Sequence, residues 1–82
     1  MNLQDAITLA TDNGMVVTDY YAVRRKGYKV GAFKVGFRHG KMIEIRLTKP
    51  GARVWTMCAK GLTVFYGKQG ECIAHAVKEL TK

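Results

Sequence analysis

The sequence predicts an α+β domain in which an antiparallel sheet of four to five strands carries an N-terminal and a C-terminal helix on one face. Three observations support this fold: apolar residues recur at helical spacing near both ends, they alternate in the middle, and turn-forming residues separate the alternating runs. The 82 residues, 48% hydrophobic and 24% charged, have the length and composition of one folded domain. We therefore treat residues 1–82 as a single small basic domain.

The two helices are predicted from one apolar stripe each. Residues 3–12 carry Leu3, Ala6, Ile7 and Ala10 at helical spacing, after Asn2 as a possible N-cap and before an Asn-Gly stop. Residues 69–80 carry a second stripe, formed by Cys72, Ile73, Ala76, Val77 and Leu80. Each stripe is expected to pack on the sheet.

Residues 15–27 allow two interpretations. The β-branched and aromatic residues of MVVTDYYAV favour a strand, whereas Thr18 or Asp19 could cap a short helix that ends at Gly27. If this segment forms the helix, the chain resembles the second helix and wing of excisionase-like winged-helix DNA-binding domains. The resemblance lies in GMVVTDYYAVRRKG followed by GAFKVGFR. That resemblance implies DNA binding, although Gly31 stands where the family usually has proline.

The strand pattern predicts one bulge and three hairpins. The copies YKVG and FKVG lie five residues apart and cannot share the two-residue period of a strand, so we expect a bulge at Gly31-Ala32. An odd loop centred on Gly40 pairs Phe37 with Ile43 and Val35 with Ile45. Because a one-residue slip would turn every side chain over, the apolar pattern excludes the even loop.

The same parity argument extends to the last two hairpins. An odd loop centred on Pro50 pairs Ile45 with Trp55, and a two-residue loop at Lys60-Gly61 pairs Met57 with Val64 and Trp55 with Tyr66. One face then collects Phe33, Val35, Phe37, Ile43, Ile45, Leu47, Trp55, Met57, Leu62, Val64 and Tyr66. Phe65 is expected on the opposite face with the basic residues.

Charge is the strongest functional signal. The chain has a net charge of +8, and residues 24–68 contain twelve Lys and Arg residues and one acid, Glu44. A basic block of this kind attracts polyanions. The predicted contact residues for nucleic acid are Arg24, Arg25, Lys26, Lys29, Lys34, Arg38, Lys41 and Arg46. Duplex DNA is the favoured partner, read mainly through phosphates.

A second interpretation keeps the charge and changes the partner. A small phage-like or mobile-element modulator that docks on an acidic host protein would also be basic, and it would need an exposed apolar patch. The helix–strands–helix order is similar in layout to double-stranded-RNA-binding domains, but the start of the last helix lacks their basic pair. DNA and RNA remain open at this point.

Catalysis is not predicted. Serine is absent, the two histidines are far apart in sequence, and no pair of acids stands out. Cys58, Cys72, His39 and His75 form the single conceivable zinc set, but no CxxC motif is present, so we expect free thiols and no metal or other cofactor. Without a signal peptide or a membrane-length apolar run, the chain is expected in the cytoplasm and off the membrane.

Overall fold

A computed structural model describes residues 1–23, 26–59 and 62–82, with the side chain of Ala59 left out. The predicted contacts Arg24 and Arg25 therefore lie outside the described residues. The elements are α1 (Leu3–Asp12), β1 (Val16–Val23), β2 (Lys29–Gly36), β3 (Met42–Leu47), β4 (Trp55–Ala59), β5 (Leu62–Gly67) and α2 (Gln69–Leu80).

The strands form one antiparallel sheet in the order β1-β2-β3-β4-β5, and both helices pack on it. The predicted fold is confirmed. The segment Val16–Val23 is a strand, so the resemblance to a winged-helix recognition helix fails there. We call the face under the helices the covered face and the other one the open face.

The covered face holds the main core. Its fully buried side chains include Ile45, Met57 and Ile73. The sheet contributes Val35, Ile43, Ile45 and Met57, and the chain before β1 contributes Met15; the helices contribute Ala6, Ala10, Cys72, Ile73, Ala76 and Val77. The helical stripes predicted from sequence therefore pack on the sheet, except that Leu9 packs against this core in place of Ile7.

The two helices approach each other closely where both begin. Asn2 caps α1 by accepting a hydrogen bond from the backbone N–H of Asp5 at 2.8 Å. A Cβ atom added to Gly70, the second residue of α2, would lie 2.5 Å from the carbonyl oxygen of Met1. Glycine at this position therefore permits the contact between the helix ends.

The predicted parity of the β2–β3 and β3–β4 hairpins is correct, but their registers differ from the prediction by two residues. In β2–β3, Val35 pairs with Ile43 rather than Ile45. In β3–β4, Ile45 pairs with Met57 rather than Trp55. A two-residue shift keeps every side chain on the same face of the sheet, so the assignment of residues to the covered face is not changed by these two errors.

The β4–β5 pairing corrects the prediction more seriously. The register shifts between Met57 and Cys58, so Met57 pairs with Phe65 instead of Val64. Phe65 consequently packs against the main core and stacks on His75, with 4.3 Å between ring centroids. Leu62, Val64 and Tyr66, which we predicted in the core, are exposed at 69%, 51% and 65%.

The predicted bulge at Gly31-Ala32 is wrong, because β1 and β2 pair without interruption through both residues. The apolar residues that seemed out of phase belong instead to a second cluster on the open face. Ala22, Val30 and Ala32 are buried there, with Tyr20 and Leu47 packed against them. Because β2 carries apolar residues on both of its faces, the apolar pattern can move from one face to the other without a bulge.

Candidate nucleic-acid interface

Two rows of side chains cross the sheet on the open face, next to the buried pair Ala22 and Val30. One row contains Thr18, Lys34, Glu44, Cys58 and Thr63. The next row contains Tyr20, Ala32, Arg46, Thr56 and Tyr66. The rows are mostly polar, so this face differs chemically from the covered face.

Glu44 is held by two neighbours across the rows. The Tyr20 hydroxyl donates a hydrogen bond to its carboxylate, and Arg46 Nε lies 3.1 Å from the other carboxylate oxygen. Burial, followed by the hydrogen bond to Glu44 and the charge of Glu44, raises the pKa of Tyr20. Arg46 also points an N–H at Cys58 Sγ, 3.7 Å away. The acid within the basic block is thus compensated, and Arg46 is already engaged.

The other predicted contact residues are exposed and lie at three levels of the sheet. Lys34 stands in the middle of the open face, with Nζ 5.3 Å from the centroid of the Tyr20 ring. Lys26 and Lys29 lie at the end with the β1–β2 turn, and Arg38 and Lys41 lie in or beside the β2–β3 turn at the opposite end. From Lys29 to Gly36, β2 spans about 23 Å at a strand's rise per residue, and Arg38 lies in the turn beyond it. The predicted set is a track along β2 and not one compact cluster.

Three basic residues outside the predicted set join Lys26 and Lys29. Successive turns of an antiparallel meander alternate between its two ends, so the β1–β2 and β3–β4 turns share one end. Lys49 and Arg53 lie in the second of these connections, and Lys68 precedes α2 at the same end. All three side chains are exposed. The meander topology would have revealed this grouping once the strand order was accepted.

Acids and bases are segregated between the two layers. The spans of α1 and α2 contain four acids, Asp5, Asp12, Glu71 and Glu79, and one base, Lys78. Residues 14–68 contain twelve bases and two acids, and nine of these bases lie in the described part of the sheet and its connections. The sheet side therefore carries the positive potential of the molecule.

A groove of about 380 Å³ opens on the covered face, beside the start of α2. Tyr21, Phe33 and Trp55 contribute aromatic surface to it, and Asp19 and Gln69 contribute polar groups. A Cβ at Gly31 would lie 3.3 Å from the Trp55 ring, so the absence of a side chain there makes room for the indole. We refer to this site as the Trp55 groove; sequence reasoning missed it because it placed Trp55 wholly in the core.

The residues considered for zinc do not assemble. Within residues 1–23, 26–59 and 62–82, no group of three or more His, Cys, Asp or Glu side chains is arranged to hold a metal ion. Cys58 is a half-buried thiol and Cys72 a buried one. Among the described helices, none has the length and apolarity needed to cross a membrane.

Comparison with known proteins gives no relative from which a function could be transferred. No protein-family model matches the chain, and neither a curated protein nor a solved structure matches it.

Proposed function

We propose that this protein binds nucleic acid, with duplex DNA as the favoured form, and that it does so without catalysis in the reducing cytoplasm. The contacts come from the basic side of the sheet and its connections. Lys34 lies at the centre, Lys26 and Lys29 at one end, and Arg38 and Lys41 at the other. Arg24 and Arg25 belong to the proposal from their place in the sequence, and Arg46, which is paired with Glu44, adds positive charge in the row next to that of Lys34.

The observation that carries the proposal is the segregation of charge. A sheet side with nine bases and two acids among the described residues, set against a helix layer with four acids and one base, gives the molecule one strongly attractive surface for a polyanion. Because Glu44 is compensated by Tyr20 and Arg46, it opposes a phosphate less than a free carboxylate would. Long cationic side chains in this arrangement bind phosphates with little sequence preference.

The test measures duplex binding as a function of salt. Each Lys or Arg that contacts a phosphate releases counterion, so the logarithm of the binding constant falls with the logarithm of salt by about 0.9 per contact. The double variant Lys34→Ala/Arg38→Ala is expected to weaken binding to all sequences alike and to reduce the slope by about two.

A matched control removes the same charge from the helix layer. Lys78→Ala/Lys82→Ala also lowers the net charge by two, but both residues lie on or after α2, where Lys82 pairs with Glu79. This variant is expected to keep the wild-type slope. Equal slope changes in the two double variants would show that net charge alone, and not a sheet-side site, governs binding.

One observation favours the alternative partner, an acidic host protein bound by a phage-like modulator. The strand β5 lies at the edge of the sheet and exposes Leu62, Val64 and Tyr66. It contains no charged residue and no proline, two of the features that usually block pairing with another strand, although the register shift in β4–β5 is a third such feature and is present. A partner strand could add to this edge. A folded sample that binds neither duplex nor single-stranded DNA at low salt would shift the assignment to this function.

A further inference from the structure

We infer that the Trp55 groove binds one unpaired nucleobase, so that the nucleic acid recognised by this protein carries a single-stranded nucleotide next to the phosphates held by the basic connections. The inference rests on the proposed function and specifies its ligand more closely. It concerns a surface on the covered face, which shares Lys29 with the proposed duplex contacts.

The walls of the groove fit a flat aromatic ligand. Trp55 and Phe33 are half-buried, with ring centroids 5.5 Å apart and planes tilted by 49°. Tyr21 lies across Gly31 in the β1–β2 register and is 75% exposed, which leaves its ring available to a ligand. Bases stack on such side chains with little dependence on base identity.

The basic side chains around the groove suit the phosphates of the same nucleotide. Lys29 projects from the same sheet face as Gly31, two residues along β2. Arg53 lies two residues before Trp55, and Lys68 immediately precedes Gln69. All three are exposed. A cationic ligand would meet repulsion here, whereas a nucleotide presents an aromatic ring to the groove and a negative charge to its surroundings.

Asp19 supplies the polar contact to the base. Its side chain shares the covered face with Tyr21 and lies across from Phe33 in the sheet register. Among the described residues it forms no ion pair, so its carboxylate is available to accept a hydrogen bond. The exocyclic amino group N4 of cytosine offers two hydrogens to this carboxylate, whereas unpaired thymine offers only its ring N3–H, which lies between two carbonyl oxygens that a carboxylate would repel. The groove is therefore expected to prefer cytosine to thymine.

The experiment compares a blunt DNA duplex with the same duplex carrying a short cytosine overhang. The overhang should raise affinity and should quench Trp55 fluorescence, which is specific because the chain has one tryptophan. Tyr21→Ala should lower affinity for the overhang duplex by about five- to a hundredfold, the range for loss of one base–aromatic stack, without changing affinity for the blunt duplex. Asp19→Asn should reduce the preference for a cytosine over a thymine overhang.

Tyr66→Ala is the matched control, because Tyr66 is almost as exposed as Tyr21 but lies on β5 at the far edge of the sheet. It should leave the gain from the overhang intact. An overhang that adds neither affinity nor quenching, or a gain that survives Tyr21→Ala, would overturn the inference while blunt-duplex binding kept the proposed function. Loss of binding to both DNAs at low salt in the wild type would overturn the two together.

Discussion

The thiol of Cys72 shows how burial sets the chemistry of one side chain. The residue is fully buried in the main core, and its thiol points at the carbonyl oxygen of Trp55, 3.5 Å away. Burial, with a smaller contribution from the charge of Glu71, raises the pKa of the Cys72 thiol to about 11. The folded protein therefore keeps this thiol protonated at a pH where an unfolded chain would ionise it.

Alkaline pH should expose this difference as a loss of stability. A raised folded-state pKa stabilises the fold below the unfolded value of 9.0, and that contribution is lost as pH rises through about 11. The free energy of unfolding should therefore fall more between pH 9 and 11 in the wild type than in Cys72→Ala. The hydroxyl of Tyr20 also has a raised pKa and titrates in both proteins, so the difference between them isolates Cys72.

A thiol reagent at pH 8 provides the independent check. The half-buried Cys58 should react in the folded protein, and Cys72 should react only after unfolding. Fast modification of both thiols in a folded sample would contradict the burial on which the pH argument depends.

Residue-scale predictions from sequence were correct where periodicity alone decided the outcome. Ile45 and Met57 are buried on the covered face as expected, and Trp55 is half-buried there. Phe65 and Tyr66 were exchanged between faces because the bulge in β4–β5 is invisible to a two-residue period. On each side of the bulge, successive side chains of β5 alternate between the two faces as in a regular strand. The apolar pattern therefore gives no sign of the extra residue.

At the scale of elements, the β2–β3 hairpin shows what determines a register. Gly36 pairs with Met42, and the backbone N–H of Phe37 donates to the carbonyl oxygen of Lys41 at 3.1 Å. A Cβ atom on Gly36 would lie 2.2 Å from that oxygen and 2.7 Å from the Met42 Cα. Glycine at position 36 therefore permits this close approach, in a register that differs by two residues from the one that hydrophobic alternation suggested.

Replacing Gly36 with alanine should test this requirement directly. Alanine usually stabilises by restricting the unfolded chain. Here the added methyl group would meet backbone atoms, so Gly36→Ala should lower the free energy of unfolding by about 1–3 kcal/mol, as overpacking does. Chemical denaturation monitored by circular dichroism gives the measurement.

Lys34→Ala is the control in the same strand. Lys34 is exposed, and its side chain contacts the Tyr20 ring at 5.3 Å, so its replacement should change stability by less than about 0.5 kcal/mol. Wild-type stability in Gly36→Ala would show that the hairpin can relax around a methyl group and that the turn, rather than the close approach, sets the register.

On the scale of the whole molecule, the sequence predicted that positive charge would dominate but not how it is arranged. The block from Arg24 to Lys68 suggested one basic face. The meander instead sends alternate turns to opposite ends, which separates Lys29 from Arg38 and brings Lys68 towards Lys49. Linear charge density does not contain this information, because the distribution depends on strand order and register. The Trp55 groove could not be predicted from the sequence either, because it also depends on which strands are neighbours and in what register.

The concentration of charge on the sheet side should also affect the stability of the free protein. Like charges repel in the compact state, and the twelve bases of residues 14–68 face only two acids, so folding brings net repulsion. Dissolved salt screens exposed charges over a distance that shrinks to about 8–10 Å near physiological ionic strength. The melting temperature of the free protein should therefore rise with salt, whereas duplex binding should fall.

If salt reduces this repulsion by about 1 kcal/mol, the melting temperature should rise by about 4–8 °C in a domain of this size. The variant Lys34→Ala/Arg38→Ala should show a smaller salt-dependent rise than Lys78→Ala/Lys82→Ala, because both remove two charges but only the first removes them from the crowded layer. Thermal unfolding in sodium chloride without DNA measures both. A melting temperature that falls with salt would mean that attraction between charges, such as the Arg46–Glu44 ion pair, outweighs repulsion in the folded protein. The charge segregation would then not create the strong positive potential on which duplex binding depends.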